Sequence, residues 1–175
     1  MTPTGSVNRK GPATVLSTTT RRLALLALVP AMLLGSLMIA TPASAATATT
    51  TLESQIVGYT NWQRKAHGCG PVRLDNRLAL AARGHSYHMA RTGRFSHTGF
   101  GGSSFGYRIT YKGYTAPLSE NIAWGYRDAA TTVRAWMASP GHRRNILNCK
   151  AKAVGVGVVY NTRGQAYYTQ DFGWR

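Results

Sequence analysis

The end of the chain constrains its fold most. Residues 153–160 (Ala-Val-Gly-Val-Gly-Val-Val-Tyr) and 166–172 (Ala-Tyr-Tyr-Thr-Gln-Asp-Phe) are apolar stretches joined by a turn through Asn161 to Gly164. Runs rich in Val and Tyr, bounded by Asn and Gly, read as a β-hairpin. A hairpin is antiparallel by construction, which argues against an all-parallel sheet of βαβ units. Gly155 and Gly157 interrupt the first of these strands. Glycine weakens a strand unless something packs closely against it.

Upstream, the periodicity is mostly helical. Leu52, Ile56, Tyr59 and Gln63, with Val57 and Trp62 beside them, form a stripe that ends near His67 and Gly68. A second helix is predicted over residues 75–91, with Asp75 as cap and Gly93 as stop, and Leu74, Leu78, Ala81, Ala82, His85 and Met89 on one face. His85 then faces inward and bonds a backbone carbonyl, while His88 lies off the stripe in solvent. Residues 94–102 form a Gly- and Ser-rich connection, followed by a short helix over 103–111 that ends at Gly113. Residues 118–124 read as a short strand containing Glu120, and Asp128 caps a helix whose Val133, Trp136 and Met137 share a face. A last helix begins at Pro140, with the Ser139 side chain as its cap and His142 in its first turn. The positive end of a helix disfavours imidazolium, so His142 is expected to stay neutral. Helices on both sides of a few strands make the class α+β.

The first forty-five residues read as a signal peptide. Arg21-Arg22 closes a basic leader, residues 23–40 are apolar, and Ala43-Ser44-Ala45 provides a small-x-small cleavage site. An uncleaved anchor is the competing reading. Residues 46–51 are an Ala/Thr tail without periodicity, expected to be disordered, and the folded domain is assigned to residues 52–175. After the leader, 17 Lys and Arg stand against 5 Asp and Glu. Those cations are scattered and no nucleic-acid motif accompanies them, so no nucleic acid is expected as partner. Cys69 and Cys149 are the only cysteines. In an exported chain an even count suggests one disulfide, with two buried thiols as the alternative.

Three polar residues are flanked by packing residues rather than by solvated runs: His97 in Phe-Ser-His, Glu120 in Ser-Glu-Asn-Ile-Ala, and His142 in Ser-Pro-Gly-His-Arg. The segments Phe95-Ser96-His97, Glu120-Asn121-Ile122-Ala123-x-Gly125, Trp136-Met137-x-Ser139-Pro140-Gly141-His142-Arg143-x-Asn145-Ile146-Leu147 and Tyr168-Thr169-Gln170-Asp171-Phe172-Gly173 follow in that order. In this order the chain resembles bacterial domains of the CAP superfamily. These SCP-like extracellular domains are related to cysteine-rich secretory proteins, venom allergens and pathogenesis-related proteins. The resemblance covers residues 52–172. It implies a three-layer α-β-α sandwich with a small central antiparallel sheet, and a cleft holding His97, His142 and Glu120. The family's fuller cleft has a second acid soon after the first histidine, whereas residues 98–104 here contain no carboxylate. Asp171 is the only nearby candidate by motif.

Two imidazoles and a carboxylate suit Zn²⁺ or another divalent cation with coordination positions left open, and Glu120 can instead hold one imidazole in its tautomer. The leading expectation is a secreted, monomeric binding module, without a membrane span once the leader is removed. Its expected partners are a small ligand, a lipid or an anionic wall polymer. The alternatives are a metal-assisted hydrolase with Glu120 as general base beside His97 and His142, a lipid- or sterol-binding protein, and a structural envelope protein. No Gly-x-Ser-x-Gly elbow supports a serine nucleophile, and whether the protein is an enzyme stays open.

Overall fold

A computed structural model describes residues 42–175. The leader expected over residues 1–45 therefore lies, as far as residue 41, outside the described residues. Among these residues five α-helices and four strands follow in the order α1 (Pro42–Ala66), β1 (Arg73–Leu74), α2 (Asn76–Thr92), α3 (Phe105–Tyr111), β2 (Pro117–Trp124), α4 (Ala129–Ala138), α5 (Pro140–Ile146), β3 (Ala153–Tyr160) and β4 (Ala166–Gly173), with a single 3-10 turn (Phe100–Gly102) before α3. The sheet order is β1-β3-β4-β2. The hairpin β3–β4 and the pair β2–β4 are antiparallel, as expected. The two-residue β1 joins β3 in parallel and makes the sheet mixed, which its short, exposed sequence did not announce.

The two faces of the sheet are unlike, because side chains alternate along each strand. Val154, Val156 and Val158 of β3 and Tyr168 and Phe172 of β4 meet Ile56 of α1, Val133 and Trp136 of α4, and Ile146 of α5. The other face of β3 presents Gly155 and Gly157. A Cβ on Gly155 would lie 2.1 Å from the Ala79 backbone nitrogen, and one on Gly157 2.2 Å from that of Arg83. The glycines that weaken the strand are thus what lets α2 settle directly on the sheet. Ser86 of α2 then bonds the Gly157 carbonyl at 2.9 Å, with Thr169 Oγ1 at 2.8 Å. Leu78 and Ala81 pack with Ile109 of α3 and Tyr114 on the same side.

The caps form as predicted at α2, where the Asp75 side chain accepts from Arg77 N–H and Gly93 turns left-handed, and at α4, where Asp128 accepts from Thr131 N–H. The first helix departs from expectation in two ways. It takes in residues 46–51, expected to be disordered, as the N-terminal extension of a helix whose packed part lies further on. Its buried face also lies beside the predicted stripe: Ile56, Thr60 and Arg64 are inside, whereas Tyr59 and Trp62 are exposed. Polar partners explain the difference. Buried Arg64 donates to the carbonyls of Gly70 (2.9 Å), Ile146 (2.7 Å), Asn148 (2.9 Å) and Ala151 (3.1 Å). The Cys69–Cys149 disulfide, now formed, closes the same corner between α1 and the loop before β3.

Candidate functional site

β2 is an edge strand, and its alternation sends Glu120 and Asn121 to opposite faces of the sheet. Glu120 turns toward α2 and α3. There His97 Nδ1 donates to its Oε1 at 2.8 Å and Arg108 Nη2 to its Oε2 at 2.6 Å. Burial by itself would push the Glu120 carboxyl up, but the His97 hydrogen bond and the Arg108 charge outweigh it and hold the group below the usual carboxylate range. His85 stands behind, its Nε2 3.9 Å from Glu120 Oε1. As expected, it faces inward and donates to a backbone carbonyl, that of Ser96, at 2.9 Å. Burial drives its pKa down to about 4, so the ring is neutral.

Asp171 lies directly across the strand pair from Glu120, with Gly155 opposite it on β3. Because Gly155 admits α2 so closely, Asp171 is entirely buried, and neither of its oxygens meets a donor among the described residues. Burial first, and then the neighbouring Glu120 charge, raise its carboxyl well above the usual range. Protonated, Asp171 becomes a donor toward Glu120, which gives a partner to an otherwise orphaned group. Asp171, the candidate by motif, thus lies on β4 beneath Glu120 and is closed off from solvent.

His142 comes from the other side of the edge. Ser139 ends α4 and starts α5 at once, with its N–H on the Trp136 carbonyl and its own carbonyl accepting from Arg143 N–H at 2.8 Å. Contrary to expectation its side chain makes no capping bond, since one backbone conformation already serves both helices. Side-chain amides hold α5 to β2. Asn145 Nδ2 donates to the Glu120 carbonyl (3.1 Å) and to Asn121 Oδ1 (2.8 Å), while Asn121 Nδ2 donates to Gln170 Oε1 (3.1 Å). Gln170 Nε2 in turn donates to Thr60 Oγ1 at 2.8 Å. His142 is held below its ordinary pKa by burial and then by the neighbouring His97, so it is neutral as expected, with burial rather than the helix end as the main cause. A cavity of about 250 Å³ beside it is lined by Phe95, Ile122, Trp124, Tyr126 and Trp136.

Of the three residues named from the sequence, His97 and Glu120 are in direct contact, and His142 is near enough to His97 for the charges of the two rings to interact. Among the described residues no three His, Cys, Asp or Glu side chains are grouped so as to hold a metal ion. Glu120 commits both oxygens to His97 and Arg108. Arg108 was not legible beforehand, since one cation in a short helix carries no signal. Asn121, Asn145 and Gln170 lay inside the quoted segments, polar residues set among packing ones, and that pattern marks them in retrospect.

Residues 57–172 match the model of the family described as "CAP: Cysteine-rich secretory protein family". The uncharacterized protein YkwD of Bacillus subtilis (strain 168) is 36% identical over 139 residues, covering 75% of this chain and 51% of that protein. The uncharacterized membrane protein YlbC of the same organism is 37% identical over 125 residues, covering 70% of this chain and 34% of that protein. The chain therefore spans about half, or less, of the curated relatives it matches. Among solved structures, an extracellular protein containing a SCP domain from Bacillus anthracis (strain Ames) superposes with a TM-score of 0.71 at 31% identity, over 77% of this chain and 44% of that one. An outer surface protein of Borrelia burgdorferi, 21% identical with a TM-score of 0.66 over 73% of this chain and 95% of that one, shares the fold. With helices on both faces of a small sheet and residues 57–172 matching the family model, the chain belongs to the CAP family of cysteine-rich secretory proteins.

Proposed function

We propose that this chain is an exported CAP domain that acts by binding, and that His97 and His142 receive the ligand or a divalent cation at the β2 edge. The observation that carries the reading is the His97–Glu120 hydrogen bond. With Nδ1–H committed to Glu120, a neutral His97 ring has its lone pair on Nε2, and the side chain is 54% exposed. A carboxylate behind an imidazole fixes its tautomer and raises its basicity, the usual support for a metal-binding histidine. Two imidazoles suit Zn²⁺ or a similar borderline ion, which would supply open coordination positions for water or a ligand atom. In this arrangement Glu120 orients His97 rather than ligating. The hydrolase reading has less support, because a carboxylate already engaged by two donors and held at low pKa is a poor general base.

Export rests on the leader, on the disulfide, and on the extracellular character of the Bacillus anthracis relative. Among the described residues no helix is long and apolar enough to cross a membrane. Asp75 and Asp128 are spent on caps, Glu53 pairs with Arg83, and Glu120 and Asp171 are buried. The surface field is consequently positive, which favours anionic wall polymers or lipid headgroups as surroundings. The test is calorimetric titration of Zn²⁺ into metal-free protein, with wild type beside His97→Ala and His142→Ala. Saturable heat in the wild type, reduced at least tenfold in affinity in both variants, supports the cation site; equal heats in all three remove it.

A further inference from the structure

A separate cavity, of about 330 Å³, opens at the end of the sheet where β1 and β3 begin. Arginines from three segments line it: Arg73 of β1, Arg77 in the first turn of α2, and Arg175 beyond β4. The loop between α3 and β2 closes it with Tyr114 and Thr115. Two of the guanidinium groups are held in place. Arg77 gives Nε and Nη2 to the Asp75 carboxylate at 3.1 and 2.7 Å and lies over the Tyr114 ring, 5.0 Å from its centroid. Arg175 gives Nη2 to Thr115 Oγ1 at 2.6 Å and its backbone N–H to the Tyr114 hydroxyl at 3.1 Å. Trp174 N–H, on the Ala116 carbonyl at 3.0 Å, pins the same segment. Arg73 is exposed, and its side chain has no partner among the described residues. Asp75 is the one acidic side chain in the lining, and Arg77 takes both its oxygens. Even with the α-carboxylate of Arg175 counted, positive charge is in excess.

We infer that this cavity binds a phosphoryl group among Arg73, Arg77 and Arg175. Guanidinium forks match phosphate oxygens, and a tetrahedral phosphoryl group presents oxygens in several directions, so forks from three segments can each find one. A planar carboxylate, with two oxygens in one plane, suits a single fork better. The like charges repel one another, and the anchors at Asp75 and Thr115 keep two of them from swinging apart, so an anion among them removes that repulsion. A concave site lined by one sign of charge also focuses the field on its ligand. The volume lies in the range of small-molecule sites and exceeds a bare phosphoryl group, which leaves room for the group that carries it. A free phosphate and the phosphodiester of a polymer or headgroup share this chemistry. The cavity is independent of the proposed cation site, since neither His97 nor His142 lines it.

Arg73 offers a test that leaves the fold intact, because its side chain holds nothing else in place. The full chain is titrated at constant ionic strength with sodium phosphate, dimethyl phosphate and sodium acetate, reading the arginine Nε–H signals by NMR. Saturable shifts of the Arg73, Arg77 and Arg175 signals are expected with phosphate, with dimethyl phosphate, or with both, and the responding arm tells a free phosphate from a diester. Arg73→Gln should weaken that binding about tenfold or more at an unchanged melting temperature, with Arg73→Lys recovering only part. Arg163→Gln removes an equal charge from the exposed β3–β4 turn, at the far end of the hairpin, and should bind like wild type, as should His97→Ala. The inference is overturned if neither phosphoryl compound gives saturable shifts, if acetate binds as tightly, if Arg73→Gln binds like wild type, or if Arg163→Gln or His97→Ala weakens binding as much as Arg73→Gln does.

Discussion

Replacing Asp171 by Asn tests the buried carboxyl pair directly. Asp171 is fully buried opposite Glu120, and its two oxygens lack donors among the described residues. Asn has the same shape and presents an N–H₂ where the protonated acid presents its O–H, so the variant imitates the protonated form without being able to ionise. The sign follows from linkage. An acid whose folded pKa is raised binds a proton in the native state that it has already lost in the unfolded one. Its contribution is therefore fully present below the unfolded value near 4 and declines as pH rises toward the raised folded value, by about 1.4 kcal/mol per pH unit for one proton. Glu120 has the opposite sign, since its lowered carboxyl stabilises above its unfolded value and loses that contribution as pH falls through the folded one. Because the amide of Asp171→Asn imitates the protonated acid that Glu120 already faces, the difference between the two proteins reports chiefly on the Asp171 proton. Urea unfolding followed by tryptophan fluorescence between pH 4 and 8 should show Asp171→Asn gaining on wild type as pH rises, along that slope, until the folded pKa is passed. A constant offset across the range would refute the raised pKa of buried Asp171.

Two further substitutions probe how the site is held. Arg64→Ala removes one guanidinium from four backbone carbonyls at the corner closed by the disulfide, and should cost at least about 3 kcal/mol, with Arg64→Lys recovering only part because an ammonium cannot fork. A shift in denaturant midpoint worth under about 1 kcal/mol would show that the corner does not depend on Arg64. Gly157→Ala would place a Cβ 2.2 Å from the Arg83 nitrogen and 2.4 Å from the Ala82 carbonyl carbon, forcing α2 off the sheet at a cost of roughly 1–3 kcal/mol or more. Gly84→Ala in the same helix should instead be neutral or stabilising by up to about 1 kcal/mol, and equal melting temperatures for the two variants would contradict the packing argument.

Local chemistry is what made much of this protein legible from its sequence. Caps at Asp75 and Asp128, the stop at Gly93 and the hairpin around residues 161–164 each depend on residues close together in the chain, and each formed within a residue or two of its prediction. The ordered segments around His97, Glu120 and His142 also carried the family, because their spacing is a property of the chain itself.

Tertiary structure decided whatever depends on which face a residue turns inward. The first helix buries Thr60 and Arg64 and leaves Trp62 in solvent, the reverse of what hydrophobicity indicates, because carbonyls and a side-chain amide brought from 80 to 110 residues away receive those polar groups. Asp171 was legible as a candidate by motif, but its place beneath Glu120 is set by register, which is fixed only when β4 pairs with β2 and β3 together. The raised Asp171 carboxyl follows from burial under α2, which Gly155 permits, whereas Glu120 is held low by His97 and Arg108 in spite of burial. Sequence thus determined which groups bear the chemistry and the local turns that present them. Close packing of backbone on backbone, a long-range property, decided which of those groups are charged, which are paired and which face the cleft.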